Sequence, residues 1–288
     1  MTPSKAVASA AGRALLLQPL AQLRLSAASG LVCYGAELLV LADDELVLQR
    51  YSHTGVYLGQ ALLLSGELPA EPAARKRRKP DFEMLCLLPD GRLLALGSGS
   101  TPERRRGVLW QAGSAQLIDL SGLYLALEAR LTGLNLEGAV VRGEQLLLAQ
   151  RGNNAGSLNA LISLDLATLL SQLAGASLGP ESLRAVTPVE LGDLHGVPLS
   201  FTDLCLAADG RLLFSAAAED TDSSYLDGAC AGSVLGCLAD AQVQALWPLV
   251  GSAKIEGLCQ LADGSLRLVN DPDDRSARSS LYSVVLPT

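Results

Sequence analysis

Short apolar runs separated by turn residues recur along the whole chain, and this pattern predicts β-strands. One unit, a polar residue followed by an apolar run, starts near Ser29, Glu83, Glu137, Thr202 and Glu256, at spacings of 54, 54, 65 and 54 residues. A second apolar run begins about ten residues after each start, and three of the five units have Asp-Gly between the two runs. Asp-Gly in this position indicates a hairpin, because its turn needs positive φ angles.

Each unit continues with a third apolar run and most have a fourth, such as residues 185–191 and 243–250. Four short antiparallel strands in about fifty residues are typical of one propeller blade. After Glu256 only 32 residues remain, whereas the 28 residues before Ser29 include an apolar stretch, 14–25, that can supply a missing strand. The sequence therefore predicts an all-β, five-bladed β-propeller of four-stranded antiparallel blades, in which an N-terminal strand completes the C-terminal blade.

We expect residues 1–288 to form a single propeller domain, with repeat starts near 29, 83, 137, 202 and 256. Two stacked β-sandwiches would also give many short strands, but they would not require equal spacing. A hydrophobic content of 49% with only 18% charged residues supplies ample material for a core.

The formal net charge of −8 argues against a general nucleic-acid binder, because phosphate contacts need a basic surface. Cys86, Cys205 and Cys259 share one repeat position after an apolar residue, so we expect reduced, buried thiols, which suit a cytoplasmic protein. No apolar run reaches the length of a membrane-spanning helix. We expect a monomer that binds neither nucleic acid nor membrane.

The first two strands of a blade run antiparallel, so the loops entering the first and leaving the second converge on one face, at the mouth of the central channel. Polar residues of these loops are our candidate site. The predicted metal ligands are Glu83, Glu137, Glu256 and Asp271, and the predicted substrate-binding residues are Lys79, Arg151, Asn153 and Lys254. His195, in the longer third unit, and Asp203 are the candidates for proton transfer.

Glutamates around a narrow channel repel one another unless a cation compensates their charge. Carboxylate and amide oxygens with almost no His or Cys suit Ca²⁺, which takes six to eight oxygen ligands. The alternative is internal pairing with Lys79, Arg151 or Lys254, and the sequence leaves both possibilities open. We expect the basic run 75–79 to be a solvated loop whose last residue is fixed at the mouth.

The strand start Asn135-Leu136-Glu137-Gly138 resembles those of esterase-like and β-propeller phytases and, more loosely, the Glu-Gly starts of calcium-dependent gluconolactonase and paraoxonase propellers. The stretch 78–83 looks like a feature of an uncharacterised bacterial propeller family related to the first group. The resemblance implies calcium near the axis and hydrolysis of phosphoesters or lactones, with acidic strand starts at Glu83, Glu137 and Glu256. Ser29 and Thr202 depart from this pattern, and those enzymes have six blades.

Two functions follow as hypotheses. The first is a metal-dependent hydrolase of a small anionic ester, with Ca²⁺ orienting water and the cationic side chains holding the anion. The second is a non-catalytic propeller that binds a small ligand or a protein partner on the same face, with its channel carboxylates paired internally. The fold is compatible with both.

Overall fold

The computed structural model of the chain describes residues 12–153, 156–220 and 229–287, without the side chains of residues 220 and 229. Five antiparallel sheets form the blades of a five-bladed β-propeller, as predicted. Strand β1 (Gln18–Gln22) precedes the first blade, which contains β2 (Ala28–Tyr34), β3 (Glu37–Ala42), β4 (Val47–Ser52) and β5 (Tyr57–Leu62). The second blade contains β6 (Phe82–Leu87), β7 (Leu93–Gly97), β8 (Arg106–Gln111) and β9 (Ser114–Asp119).

The other three blades follow in chain order. The third contains β10 (Leu136–Arg142), β11 (Gln145–Gln150), β12 (Ala160–Asp165) and β13 (Leu183–Pro188). The fourth contains β14 (Asp193–Leu194), β15 (Val197–Leu206), β16 (Leu212–Asp220), β17 (Ala229–Ala239) and β18 (Gln242–Pro248). The fifth contains β19 (Lys254–Gln260), β20 (Leu266–Asp271) and β21 (Ser280–Val284).

Strand β1 closes the ring. It pairs antiparallel with β21, with Gln18 opposite Ser283 and Gln22 opposite Ser280, so the fifth sheet has the order β1-β21-β20-β19. This pairing confirms that an N-terminal strand completes the C-terminal blade. It also covers a sheet edge that would otherwise be free to pair with another chain. The predicted domain bounds of 1–288 extend beyond the described residues and stay a prediction.

The fourth blade departs from the predicted four strands because the two-residue strand β14 pairs with the start of β15. The extra length of the third unit lies elsewhere, mostly in helix α3 (Leu166–Ala174), which connects β12 to β13. Asp165 caps this helix by accepting a hydrogen bond from the Thr168 N–H at 2.9 Å. Leu166, Leu169 and Leu173 recur at helical spacing, and all three side chains are buried.

Two further helices lie between blades. Helix α1 (Pro72–Arg78) corrects our expectation of a loop for the basic run, and Glu71 caps it by accepting hydrogen bonds from two backbone N–H groups. Helix α2 (Ser121–Glu128) follows β9 and buries Tyr124, whose hydroxyl donates to the Gly97 carbonyl at 2.7 Å. No helix among the described residues is long and apolar enough to cross a bilayer.

The core consists of five apolar clusters, one at each junction between neighbouring blades. The innermost strands approach closely, and a Cβ at Gly138 would stand 2.8 Å from the backbone nitrogen of Leu204. Glycine is therefore required at this strand position. Cys86, Cys205 and Cys259 are buried free thiols, as expected from their repeat position.

Candidate functional site

Every innermost strand has a β-bulge at its repeat start. In β6, Phe82 pairs with Gly97 and Met84 with Leu96, which leaves Glu83 as the extra residue. The same irregularity lies at Ser29, Glu137, Thr202 and Glu256. A bulge bends its strand and turns a side chain away from the regular alternation. The repeated polar residue is therefore the bulged residue of each blade, and it lies at the end of the strand nearest the channel mouth.

A polar cavity of about 110 Å³ lies at the channel mouth. Eight carboxylates and five cationic side chains line it, so the carboxylates exceed the cations by three. The carboxylates are those of Asp43, Asp81, Glu83, Glu137, Glu219, Glu256, Asp271 and Asp273. The cations are those of Lys76, Lys79, Arg104, Arg151 and Lys254. All eight residues predicted as metal ligands or substrate-binding residues thus lie around one cavity, although the roles assigned to them stay predictions.

Arg151 lies at the centre of one half of this cavity. Its guanidinium donates to Glu219 and has Nη1 at 3.4 Å from Glu137 Oε1 and 3.5 Å from Glu256 Oε1. The Asn135 amide also donates to Glu137, at 2.6 Å. Arg151 follows β11 directly, so the second strand of the third blade positions the cation against bulged glutamates of two blades. Two of the three predicted acidic strand starts therefore have an internal counter-charge.

Lys254 is the second buried cation of this half. Its ammonium lies 3.0 Å from Glu219, 3.2 Å from Glu256 and 3.0 Å from Asp273. Burial alone would lower the pKa of Lys254, but the neighbouring Glu256 and Glu219 raise it well above its usual value. The lysine therefore stays charged and holds the three carboxylates together. We call Arg151, Lys254 and the carboxylates that they contact the paired half.

The other half is built around Lys79 and Asp81. The Lys79 ammonium contacts Asp43 and lies 2.9 Å from Asp81 Oδ1, while Arg104 lies 2.9 Å from Asp81 Oδ2. Asp81 has a φ of 56°, a left-handed conformation that is uncommon for a residue with a side chain. Its backbone N–H donates to the Asp43 carbonyl at 3.0 Å, which fixes the loop against the first blade.

Glu83 belongs to this second half but has no hydrogen-bond or ion-pair partner among the described residues. Its carboxylate and those of Asp43 and Asp81 each have an oxygen within 4.8 Å of the others. In the lining of the same cavity, the buried Asn153 Oδ1 accepts no hydrogen bond from any described group. We call Asp43, Asp81 and Glu83 the acidic triad. It differs from the paired half because one of its carboxylates has no counter-charge in contact.

The excess of carboxylates is reflected in raised pKa values. Burial raises the pKa of Glu137 to about 8, although Arg151 opposes the shift, and burial raises that of Asp271 to about 8 against Lys254. Burial, with Asp81 and Glu137 nearby, raises the pKa of Glu83 well above its usual value. Some of these carboxyls therefore hold protons near neutral pH unless another cation enters the cavity.

The two residues predicted for proton transfer lie away from the cavity lining. His195 is exposed in the turn between β14 and β15, with a φ of 56°. Asp203 is buried one residue beyond the bulge of β15, where its carboxylate accepts the backbone N–H groups of Leu204 and Leu258 at 2.7 and 2.8 Å. Neither residue lines the cavity. Burial, with Glu256 and Glu137 nearby, raises the pKa of Asp203 well above its usual value. The catalytic role of both residues stays a prediction.

Six further charged residues of the cavity were not among the predicted metal ligands and substrate-binding residues: Asp43, Lys76, Asp81, Arg104, Glu219 and Asp273. Asp43 follows β3 as Arg151 follows β11, fourteen positions after its repeat start, so the repeat itself could have identified it. Arg104 lies in a short helical turn between β7 and β8, and no repeat position predicts that its side chain contacts Asp81.

Comparison with known proteins identifies the family. A family model described as a family of unknown function, DUF6929, matches residues 24–286. The chain belongs to the DUF6929 family. No curated protein sequence matches this member of the family. Membership of this family therefore does not indicate an activity.

Solved structures with the same architecture share little sequence with this DUF6929 protein. Myxococcus xanthus glutaminyl cyclase has a TM-score of 0.54 at 12% identity, with 95% of this chain and 99% of that chain covered. A gluconolactonase of Xanthomonas campestris has a TM-score of 0.45 at 12% identity, with 94% of this chain and 89% of that chain covered. At such identities the first likeness shows the propeller fold alone.

Proposed function

We propose that the channel mouth of this DUF6929 protein binds a divalent cation, with Ca²⁺ as the best candidate. The observation that carries the proposal is the unbalanced charge of the cavity, where carboxylates exceed cationic side chains by three. The sequence predicted Glu83, Glu137, Glu256 and Asp271 as the ligands. We keep Glu83 and propose the other members of the acidic triad, Asp43 and Asp81, beside it, because their oxygens lie within 4.8 Å of one another.

The chemistry of the donors fits a hard cation. All three groups of the triad offer carboxylate oxygens, and Asn153 adds a buried amide oxygen without a hydrogen-bond partner at the same cavity. Calcium and magnesium prefer such oxygen ligands, and calcium tolerates irregular geometry with several waters. A cavity of about 110 Å³ leaves room for an ion with part of its hydration shell.

The paired half supports a different role for its residues. Glu137 already contacts Arg151, and Glu256 contacts both Arg151 and Lys254, so these carboxylates are less available to an added cation. The same two cations would hold an incoming anion only by giving up contacts with glutamates. We therefore propose cation binding as the primary function and treat anion binding at Arg151 and Lys254 as secondary.

Thermal unfolding of chelator-treated protein, with Ca²⁺, Mg²⁺ or neither added back, tests the proposal. A ligand that binds only the native state raises the midpoint by mass action. We expect millimolar Ca²⁺ to raise the midpoint by several degrees, a change of about 1–2 kcal/mol in a protein of this size. Glu83→Gln should abolish the increase, because it removes a ligand charge and keeps the side-chain shape.

Glu144→Gln is the matched control. Glu144 is exposed in the turn between β10 and β11, at the end of that hairpin away from the mouth. This variant should keep the full response to Ca²⁺. No midpoint change with either cation in the unmodified protein, or an equal response in Glu83→Gln, would contradict the proposal.

Hydrolysis of a small anionic ester is a second candidate, favoured by one observation. The carboxyl of Glu137 has a pKa of about 8, so it is protonated near neutral pH and can act as a general acid. The phosphoester and lactone activities that the sequence resemblance implies are proposals of this kind. A panel of aryl phosphates and small lactones, assayed with Ca²⁺ present, tests it, and turnover that persists in Glu137→Gln would contradict this role of Glu137.

A further inference from the structure

Helix α1 is attached to the propeller by polar contacts. None of its residues is buried, and a helix of seven residues is marginal in water without tertiary support. Arg75 donates to Asp44 at 3.0 Å, and Lys79, which follows the last turn, contacts Asp43 and Asp81. Ion pairs of Arg75 and Lys79 with aspartates of the propeller therefore attach α1 to the channel mouth.

The Lys79 ammonium lies where a metal ion would have to bind. It contacts two of the three carboxylates of the acidic triad, Asp43 and Asp81, and only Glu83 is without it. A divalent cation bound by all three carboxylates would meet the positive charge of Lys79 at close range. Either the ion is excluded or the ammonium leaves, because like charges at this distance repel strongly in a buried setting.

We propose that Lys79 is an internal competitor for the cation site and that divalent cation binding releases α1 from the channel mouth. The proposal rests on the cation site proposed above. Binding is then an exchange of a singly charged ammonium for a doubly charged ion between the same carboxylates. A monovalent ion brings no more charge than the lysine that it must replace, so the exchange favours divalent ions.

Release of Lys79 removes the ion pairs that attach the C-terminal end of α1 to Asp43 and Asp81. The backbone N–H of Lys79 closes the last turn of α1 on the Arg75 carbonyl at 2.7 Å. Pro80 and Asp81 remain fixed beside β6, since Pro80 is buried and Asp81 donates its N–H to Asp43. The chain therefore has a fixed point directly after Lys79, and the part that moves is the basic helix before it.

Hydrogen exchange of residues 71–79, followed by mass spectrometry, tests whether the cation displaces Lys79 and releases α1. Saturating Ca²⁺ should increase the exchange rate of the α1 amides about tenfold, equivalent to a tenfold increase in the open population of this segment. In Lys79→Met, α1 should exchange fast with or without Ca²⁺. Removal of the competitor should also raise the affinity for Ca²⁺, measured by titration calorimetry, about tenfold.

Arg77→Met is the matched control, because Arg77 is an exposed cation of the same helix. It should keep the slow exchange without Ca²⁺ and the unmodified affinity. Calcium binding without faster exchange of α1, or an unchanged affinity in Lys79→Met, would overturn the release of α1 and leave the cation site standing. No calcium binding by the unmodified protein or by Lys79→Met would overturn both proposals.

Discussion

The two ends of the central channel are built by the same five strands but have opposite chemistry. At the mouth, the bulged residues are mostly polar or charged and meet carboxylates and cations from the adjoining loops. Two to four residues further along, the same strands surround a cavity of about 260 Å³ that is lined mainly with apolar side chains and cysteines. Leu258, Cys86, Cys205 and Cys259 are all buried at this second end.

This difference shows that the fold needs close packing of the innermost strands but does not need the charged side chains of the mouth. The cysteine end shows that five innermost strands can pack closely around an axis with no charged side chain in the cavity lining. Buried ion pairs cost desolvation energy that their mutual attraction often fails to recover, so they are poor contributors to stability. The charges at the mouth are therefore better explained by binding than by folding, and strongly shifted pKa values are common at such sites.

Loss of the central cation of the paired half should have the largest effect. Arg151→Met leaves Glu137, Glu219 and Glu256 without the guanidinium that contacts all three. We expect the free energy of unfolding in urea to fall by about 4 kcal/mol, since an uncompensated buried charge is costly. Arg142→Met, an exposed arginine at the other end of β10, should change stability by less than about 0.5 kcal/mol, and an equal loss in both variants would contradict this account.

At the cysteine end, stability should depend on packing alone. Leu258→Ala removes a fully buried side chain between the fourth and fifth blades and should cost about 3 kcal/mol. This loss should be the same at pH 6 and pH 8, with or without Ca²⁺, because no titrating group of the mouth is involved. A loss that changes with Ca²⁺ would show that the two ends are energetically coupled and would contradict this prediction.

The mouth should make stability depend on pH in an unusual direction. The pKa values of Glu137 and Asp271, about 8, lie above those of the unfolded chain, so the native state retains protons that the unfolded state loses. Stability then falls as pH rises from about 5 to 8, by about 2 kcal/mol for each of the two groups between pH 6 and pH 8. Asp81 and Glu219 have lowered pKa values and are ionised in both states across this window, so they add no slope.

Urea unfolding at several pH values without metal measures this slope. Glu137→Gln should reduce it by about half, because glutamine cannot lose a proton whereas Asp271 still does, and Glu144→Gln at the exposed turn should leave it unchanged. A stability that rises between pH 6 and pH 8 would contradict the proposed excess of buried carboxylates.

The sequence was sufficient for the fold because the repeat is a direct consequence of blade geometry. Each repeat start is a bulged residue, so the spacing of Glu83, Glu137 and Glu256 reports the spacing of the blades themselves. Closure by β1 followed from counting the residues left at the two ends. Helix α3 was missed because its three buried leucines lie in a generally leucine-rich chain, where helical and strand spacing are hard to separate.

The site was predictable in its location but not in its pairing. Strand polarity placed Lys79, Arg151 and Lys254 at the same mouth as the glutamates. Which cation meets which carboxylate depends on side-chain directions and on the left-handed backbone at Asp81, and neither follows from spacing. The sequence left pairing and metal binding open as alternatives. The structure shows pairing around Arg151, beside a triad in which Glu83 contacts no counter-charge among the described residues.

The central claim is that a divalent cation binds at the acidic triad in place of the Lys79 ammonium. Crystals grown near pH 7.5 with Mn²⁺, an anomalously scattering hard cation that accepts the same oxygen ligands, test it directly. We predict an anomalous peak among the carboxylates of Asp43, Asp81 and Glu83, with the Lys79 side chain turned away from them. The absence of a peak at millimolar Mn²⁺, with Lys79 still contacting Asp43 and Asp81, would contradict it.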